Sequence, residues 1–353
     1  MGKVRKVILE DIPRLVELNT RLFPGSAMLS RETQEQLFLK VCLKNPWHDS
    51  GVSSLVYEET DGRLSGFLGV VPRKMEFEGR EINVAISQHL MVDKATLASI
   101  QLFKTLIAGT QDLLIADMTV DVARSTIERV GGTTIFHNSV YWKHPLRPFS
   151  FVLGFLKRKI KNGAESSTLG FMIDALAGKI PGNPFIHLKP SGYTRELTTD
   201  EFLEGIGRFT SGWKLTPKYN KQSASWLFEM LSAEKRFGSF QKTAVYDDRN
   251  KLLGWFLLFL KSKGRSEVIQ VVGEKNTIRT VLDHMFHIAW KGKSVEVCGR
   301  LDSHFTKEYS DKLTFFIPGK NWMVVHTRDP KLLQTIQSGD TFLSRLEGDL
   351  WFL

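Results

Sequence analysis

EINVAISQHLMVDKATLASIQLFKTLIAG, residues 81–109, reads as a strand that runs through a short turn directly into a helix. Ile82, Val84, Ile86, Gln88, Leu90 and Val92 alternate with a second set of side chains, the period of a pleated strand, and β-branched residues favour that reading. From Leu97 the period changes: Ile100, Phe103, Leu106 and Ile107 fall at helical spacing, and Gly109 supplies a stop. Such a junction points helix N-terminal N–H groups at one spot, where an anion is the natural occupant.

Working outward, Val4 to Leu9 reads as a strand, followed by a helix opened at Asp11 with Pro13 in its first turn and Leu15, Leu18 and Leu22 on one face. A second helix follows from Ser30, and then a meander of strands at 52–57 and 64–75, turning at Asp61-Gly62 and near Gly79. After the quoted stretch come a strand at 112–116, a helix at 121–130 and a strand at 133–142. Strand, two helices, three strands, helix, strand, helix, strand joins an antiparallel meander to a parallel crossover, which predicts one mixed sheet over residues 3–142.

That order, with LMVDKATLASIQLFKTL at its centre, resembles the GNAT acyltransferase superfamily. The superfamily carries L-x-V, a short turn and R/Q-x-x-G-x-G/A at the start of a helix. The resemblance implies that the strand around Leu90 and Val92 pairs with the pantetheine arm of acyl-coenzyme A. It also implies that the N–H groups at Leu97, Ala98, Ser99 and Ile100 hold the pyrophosphate. This chain departs from the motif: Leu97 stands at the arginine position, Ala98 at the first glycine, and Ile100 and Leu102 at the later small positions. Those side chains are expected to crowd a backbone that should approach phosphate closely.

Residues 143–190, with five prolines and the cluster Lys157-Arg158-Lys159, read as a connector between a domain at 1–142 and one at 191–353. Phe149, Val152, Leu153, Phe155 and Leu156 beside those lysines make a short basic amphipathic helix. Peripheral membrane contact is one reading, and a helix packed across the domain junction with its lysines in water is the plainer one.

From Tyr193 the element order begins again: a strand at 193–197, a helix opened by the capping box Thr198 to Glu201, a helix at 223–235 and a hairpin about Asp247-Asp248-Arg249-Asn250. A strand from Glu267, a helix at 277–290, a strand at 295–298, a helix at 303–312 and strands at 315–316 and 322–326 complete it. The expected fold class is therefore a mixed-sheet α/β (α+β) chain of two tandem GNAT-like domains. Tandem domains of this kind look like the Fem-type aminoacyl transferases and the N-myristoyltransferases.

The 353 residues fit two domains, and 42% apolar content suffices for ordinary cores. Two cysteines, Cys42 and Cys298, form neither a disulfide framework nor a cysteine-rich zinc site, and a reducing cytoplasm is the expected compartment. No apolar run is long enough for a signal peptide or a transmembrane helix. The net charge of +10 favours anionic partners. No nucleic-acid motif is present, so a small-molecule amine and an acyl-coenzyme A, with acetyl as the default acyl group, are the expected substrates.

Aminolysis of a thioester needs a base for the amine's proton and an acid for the thiolate. In the first half the family's base strand offers Ile86 and Gln88 on the face of Leu90, with Ser87 and His89 opposite unless a bulge turns them. Ile127 stands where the family has its acidic tyrosine. A core or surface role for His89 is preferred to catalysis. In the second half Glu267 opens the corresponding strand, Tyr309 echoes the family tyrosine, with a structural role preferred to a catalytic one, and Gly273 and Lys275 mark the corresponding phosphate loop. The apolar end, Leu350 to Leu353, is expected to pack. By resemblance to the N-myristoyltransferases, the terminal carboxylate on Leu353 is a further candidate base. His284 and His287, three apart on a helix, have no third metal ligand placed by spacing. Two readings stay open: a catalytic N-acyltransferase, which is preferred, and a non-catalytic GNAT-like pair that binds a ligand or partner.

Overall fold

The computed structural model describes residues 2–25, 29–48, 51–93, 97–159, 168–177, 186–318 and 321–348. In chain order these form β1 (Lys3–Lys6), α1 (Ile12–Leu22), α2 (Arg31–Cys42), β2 (Leu55–Glu58), β3 (Leu64–Phe77), β4 (Arg80–Val92), α3 (Leu97–Ile107), β5 (Leu113–Thr119), α4 (Asp121–Arg129) and β6 (Thr133–Ile135). They continue as β7 (Val140–Pro145), α5 (Pro148–Lys159), α6 (Thr168–Ala177), β8 (Tyr193–Glu196), α7 (Thr199–Thr210), β9 (Leu215–Lys218), α8 (Lys221–Ala233), β10 (Ser239–Tyr246), β11 (Leu252–Leu260) and β12 (Arg265–Gly273). The last are α9 (Ile278–Lys291), β13 (Glu296–Arg300), α10 (Thr306–Ser310), β14 (Phe315–Pro318), β15 (Trp322–Thr327) and α11 (Pro330–Gln337).

The chain forms two compact units, and neither is contiguous in sequence. The first comprises residues 1–139, 212–227 and 320–353, and its sheet runs β1-β2-β3-β4-β5-β15-β6, with β9 paired to β3. The second comprises residues 140–211 and 228–319, and its sheet runs β14-β7-β13-β12-β11-β10-β8. Both sheets are mixed, because β4–β5 and β12–β13 pair in parallel while the other ladders are antiparallel. These sheets cut across the divisions drawn from sequence at 142 and 190. The segment read as one strand, 133–142, is two strands in different sheets, and β15 inserts between β5 and β6 of the first sheet.

In the first unit the β3–β4 hairpin turns through Glu78 and Gly79, both with positive φ, the geometry that matches strand twist in a two-residue loop. One face of the sheet is covered by α3 and α4: Ala98, Leu102, Phe103 and Ile127 pack on Leu68, Val70, Ala85, Leu114 and Ala116. On the other face α1 and α2 set Leu15 and Phe38 against Val56, Phe67 and Met91. There too, Leu332 and Ile336 of α11 cover Ile82, Val84, Ile86 and Ile115. The expected caps form: the Ser30 hydroxyl accepts the Thr33 N–H at 3.2 Å, and Thr198 and Glu201 close a reciprocal capping box on α7.

In the second unit α9 lays Ile278, Val281, Met285 and Phe286 on Trp142, Phe256, Leu258 and Val297. Phe149, Val152 and Leu156 of α5 are about half exposed, and Leu153 is partly buried. No helix among the described residues is long and apolar enough to cross a membrane.

Candidate functional site

The parallel ladder between β4 and β5 is short. It pairs Val84–Ser87 with Leu113–Ala116 and ends there, although β4 continues to Val92 and β5 to Thr119. Each strand carries one extra residue just past that point. Against β3, Gln88 and Met91 sit opposite Gly69 and Phe67, and His89 takes φ 45°; against β15, Thr119 and Ala116 sit opposite Trp322 and Val324, and Met118 takes φ 57°. A bulge bends its strand and increases local twist, so two bulges at one level part the strands. Among the described residues the β4–β5 ladder has no pair beyond Ser87↔Ala116, so the edge of β4 at Leu90 and Val92 that faces β5 carries no strand and can offer main-chain groups to an extended ligand.

The bulge also changes which side chains share a face. Ile86 and Gln88 lie on the α1/α2 side, but Leu90 and Val92 pack with the α3 cluster, so the single alternating set expected from Ile82 to Val92 is broken at His89. His89 itself is anchored: its Nε2–H donates to Asn19 Oδ1 at 2.9 Å, while Asn19 Nδ2 donates to Gln34 Oε1 at 3.0 Å. Burial among Phe23 and Phe38 pushes its pKa down to about 3, and the ring is neutral. It fastens the bulge to α1, which is the structural role preferred from sequence.

On the face away from α3, the polar side chains at the mouth are Gln88 and Asp117, each only 4% exposed. Asp117 accepts the N–H of Met118 at 2.8 Å. The turn Ser344–Gly348 lies over it, and a Cβ on Gly348 would overlap the Asp117 carboxylate. Sequence reasoning missed Asp117. Its signal, a carboxylate closing the apolar run Leu113–Ala116, is common at strand ends.

α3 starts at the open end, and its first turn differs from expectation. Leu97 is 50% exposed, but Ala98 and Ser99 are buried and Ile100 is partly buried. Ala98 and Leu102 pack over Gly66, whose missing Cβ lets the helix approach β3 closely. The Ala98 side chain therefore fills core. A cavity of about 790 Å3 opens beside it, lined by Glu59, Asp61, Arg63, Asp93 and Leu97 among others. Asp93 is held by Arg21 at 2.8 Å and Arg63 at 2.5 Å. Three carboxylates in one wall make this cavity a poor seat for pyrophosphate.

The second unit repeats the geometry with different chemistry. Its parallel ladder ends at Glu267↔Cys298, and the extra residue of β12 follows at once, between Val268 and Gln270. Gly273 is buried and Lys275 is exposed. The loop closes on itself: Thr277 Oγ1 accepts the Glu274 N–H at 3.1 Å and donates to Leu253 O at 2.8 Å, and Glu274 pairs with Arg208 at 3.3 Å. Tyr309 is 3% exposed and lies against Trp142 with ring centroids 4.8 Å apart; burial pushes its pKa up. The structure thus gives Tyr309 a packing role in the core. Leu353, with its carboxylate, and Leu350 to Phe352 lie outside the described residues.

His284 and His287 face main chain. They bond the carbonyls of Ser191 at 2.9 Å and His187 at 2.7 Å, tying that segment to α9. Among the described residues no group of three or more His, Cys, Asp or Glu is placed to hold a metal ion.

No family model matches the sequence, and no curated protein matches it. Solved structures do. A conserved protein from Enterococcus faecalis V583, described as a probable N-acyltransferase, superposes with a TM-score of 0.57 at 12% identity, over 95% of this chain and 74% of its own. A GCN5-related N-acetyltransferase from Anabaena variabilis gives 0.56 at 11%, over 92% and 72%. Saccharomyces cerevisiae N-myristoyltransferase with bound myristoyl-CoA and inhibitors gives 0.52 at 13%, over 92% and 79%. At such identities the likeness is one of fold, and with the two split mixed sheets it shows that this chain has the tandem GNAT-like fold.

Proposed function

We propose that the chain is an acyl-coenzyme A-dependent N-acyltransferase acting on a small amine, with its site in the first unit. The observation that carries this is the opening between β4 and β5, made by the paired bulges at His89 and Met118. The unpaired edge at Leu90 and Val92 is suited to an extended pantetheine arm, and the N-terminus of α3 at Leu97, Ala98, Ser99 and Ile100 to its phosphates. On the opposite face the amine nitrogen attacks the thioester carbonyl, Asp117 takes the amine proton, and the carbon–sulfur bond breaks to release a thiolate. Gln88 is placed to orient the amine. The second unit, with Gly273, Lys275 and Glu267, is the lesser candidate because Thr277 already occupies its loop. Acetyl as the acyl group and a cytoplasmic location complete the reading.

The acidic cavity at Asp93 favours the alternative, a non-catalytic pair that binds another ligand. Calorimetry with coenzyme A separates the two. The wild-type chain is expected to bind. Leu97→Glu sets a carboxylate at the helix N-terminus where the phosphates would lie, and should weaken binding about 10-fold or more while the exposed position keeps Tm within about 2 °C. Lys275→Glu should leave affinity unchanged. No binding at all refutes the enzyme reading, and the reverse pattern moves the site to the second unit.

A further inference from the structure

Arg73 lies on β3 opposite Val84, on the sheet face that carries Gln88 and Asp117. It is only 5% exposed, and its Nε, Nη1 and Nη2 are all buried with no hydrogen-bond partner. Among the described residues it has no carboxylate within ion-pair distance. What it has is the ring of Trp47, with its guanidinium carbon 3.9 Å from the centroid. Trp226 stands edge-on to Trp47 at 5.9 Å, and its indole Nε1–H is likewise buried with no acceptor. Among the described residues the carboxylate whose charge acts on Arg73 is that of Glu347, which is hydrogen-bonded by others: Tyr219 donates its hydroxyl to it, and Ser344 donates N–H at 2.7 Å and Oγ–H at 2.6 Å.

A desolvated guanidinium and an indole N–H that bond nothing are costly to keep, because each loses its water without gaining a partner. Burial lowers the Arg73 pKa to about 10, so the group is still a cation at neutral pH. Every unmet group here is a donor, so the missing ligand consists of acceptors. The fork of Nε and two Nη matches a planar carboxylate bidentately. A phosphate dianion fits less well, since one cation stands here and Glu347 is nearby.

We propose that Arg73 and the Trp226 indole N–H bind a carboxylate, and that this carboxylate is carried by the acceptor amine. The first half stands on the donors alone; the word acceptor rests on the acyl-transfer reading. Arg73 is four residues along β3 from Gly69, the partner of Gln88, about 13 Å at a strand's rise before the arginine's own reach is subtracted. That span suits a small amino carboxylate whose acid end is held at Arg73 and whose amine reaches Gln88 and Asp117. Trp47 and Trp226 flank the acid end and supply apolar walls.

Thermal shift and intrinsic tryptophan fluorescence test this with matched pairs: acetate, glycine, β-alanine and 4-aminobutyrate, each against its amide, with inorganic phosphate alongside. Carboxylates should raise Tm by about 2–4 °C and perturb the fluorescence, and the amides should do neither. Arg73→Met should abolish the effect. Trp226→Phe, which removes only one N–H and little volume, should weaken it about 10-fold and serves as the independent variant if Arg73→Met fails to fold. The proposal is overturned if no carboxylate acts, if amides or phosphate act as strongly, or if the effect survives both substitutions. Coenzyme A binding is scored separately. Carboxylate binding without coenzyme A binding keeps this site and removes the acceptor, and coenzyme A binding without carboxylate binding keeps the enzyme and removes this site.

Discussion

Acidification from pH 7 to pH 5 should destabilise the second unit through a pair of buried imidazoles. His144 on β7 is 4% exposed, stacks on Phe286 at 4.2 Å, and shares a hydrogen bond with His187, Nε2 to Nε2, at 3.2 Å. One ring donates and the other accepts, so the pair accommodates one proton between the two nitrogens and neither ring is a cation. Burial, with the neighbouring ring, holds His144 down to about 3, and burial holds His187 down to about 4, against 6.5 in the open chain. A histidine whose folded pKa is depressed contributes its stability above the unfolded value and loses it as pH falls toward the folded one. At pH 5 the chain is 1.5 units below 6.5, and at about 1.4 kcal/mol per unit His144 alone has given up about 2 kcal/mol. His187, which is more exposed, adds up to a similar amount before screening. Urea unfolding followed by circular dichroism at pH 7, 6 and 5 measures the slope in a range above most carboxylate titrations. His144→Phe keeps an aromatic ring on Phe286 and removes the titrating group, so its average slope between pH 7 and pH 5 should be shallower by about 1 kcal/mol per pH unit, whatever it loses at pH 7. An equal slope in the variant and the wild type would falsify the assignment of acid sensitivity to this pair.

Gly348→Ala tests whether the Ser344–Gly348 turn rests on Asp117. Its new Cβ overlaps that carboxylate, so destabilisation of about 1–3 kcal/mol is expected in urea titrations, and a wild-type value would place the turn elsewhere. Tyr309→Phe removes a hydroxyl in the core of the second unit, whereas the proposed site is built from the first, so acyl transfer, once assayed, should stay within about 2-fold of wild type. A loss of two orders of magnitude would give Tyr309 the catalytic role of the family tyrosine it echoes.

Much of the local structure was legible in the residues themselves. The change of period at Val92 to Leu97 marks the strand-to-helix junction, Ser30 and the Thr198–Glu201 box mark helix starts, and Asp247-Asp248-Arg249-Asn250 marks a hairpin turn in which Asn250 takes φ 62°. Periodicity and capping are properties of neighbours in sequence, so one chain suffices to read them. Element order followed, and with it the tandem mixed-sheet fold.

The site was legible only in outline, because its decisive features are matters of pairing. Nothing near His89 or Met118 announces an extra residue; a bulge exists only against the register of the partner strand, and it moved Leu90 and Val92 to the other face. Which strand β15 or β7 joins is not written in its own β-propensity, since any apolar alternating segment offers the same main-chain edge. Tyr309 echoes a family acid in sequence and is core in space, whereas Arg73 is one strand charge among several in sequence and in space is buried with no hydrogen-bond partner among the described residues. Desolvation is set by what the rest of the chain brings over a residue, here Trp47 from beyond α2, Trp226 from α8 and the turn carrying Glu347. Elements, caps and their order are legible from neighbours along the chain. Where two strands part, which carboxylate stands at the mouth and which cation is buried against a tryptophan ring each depend on contacts between residues far apart along the chain.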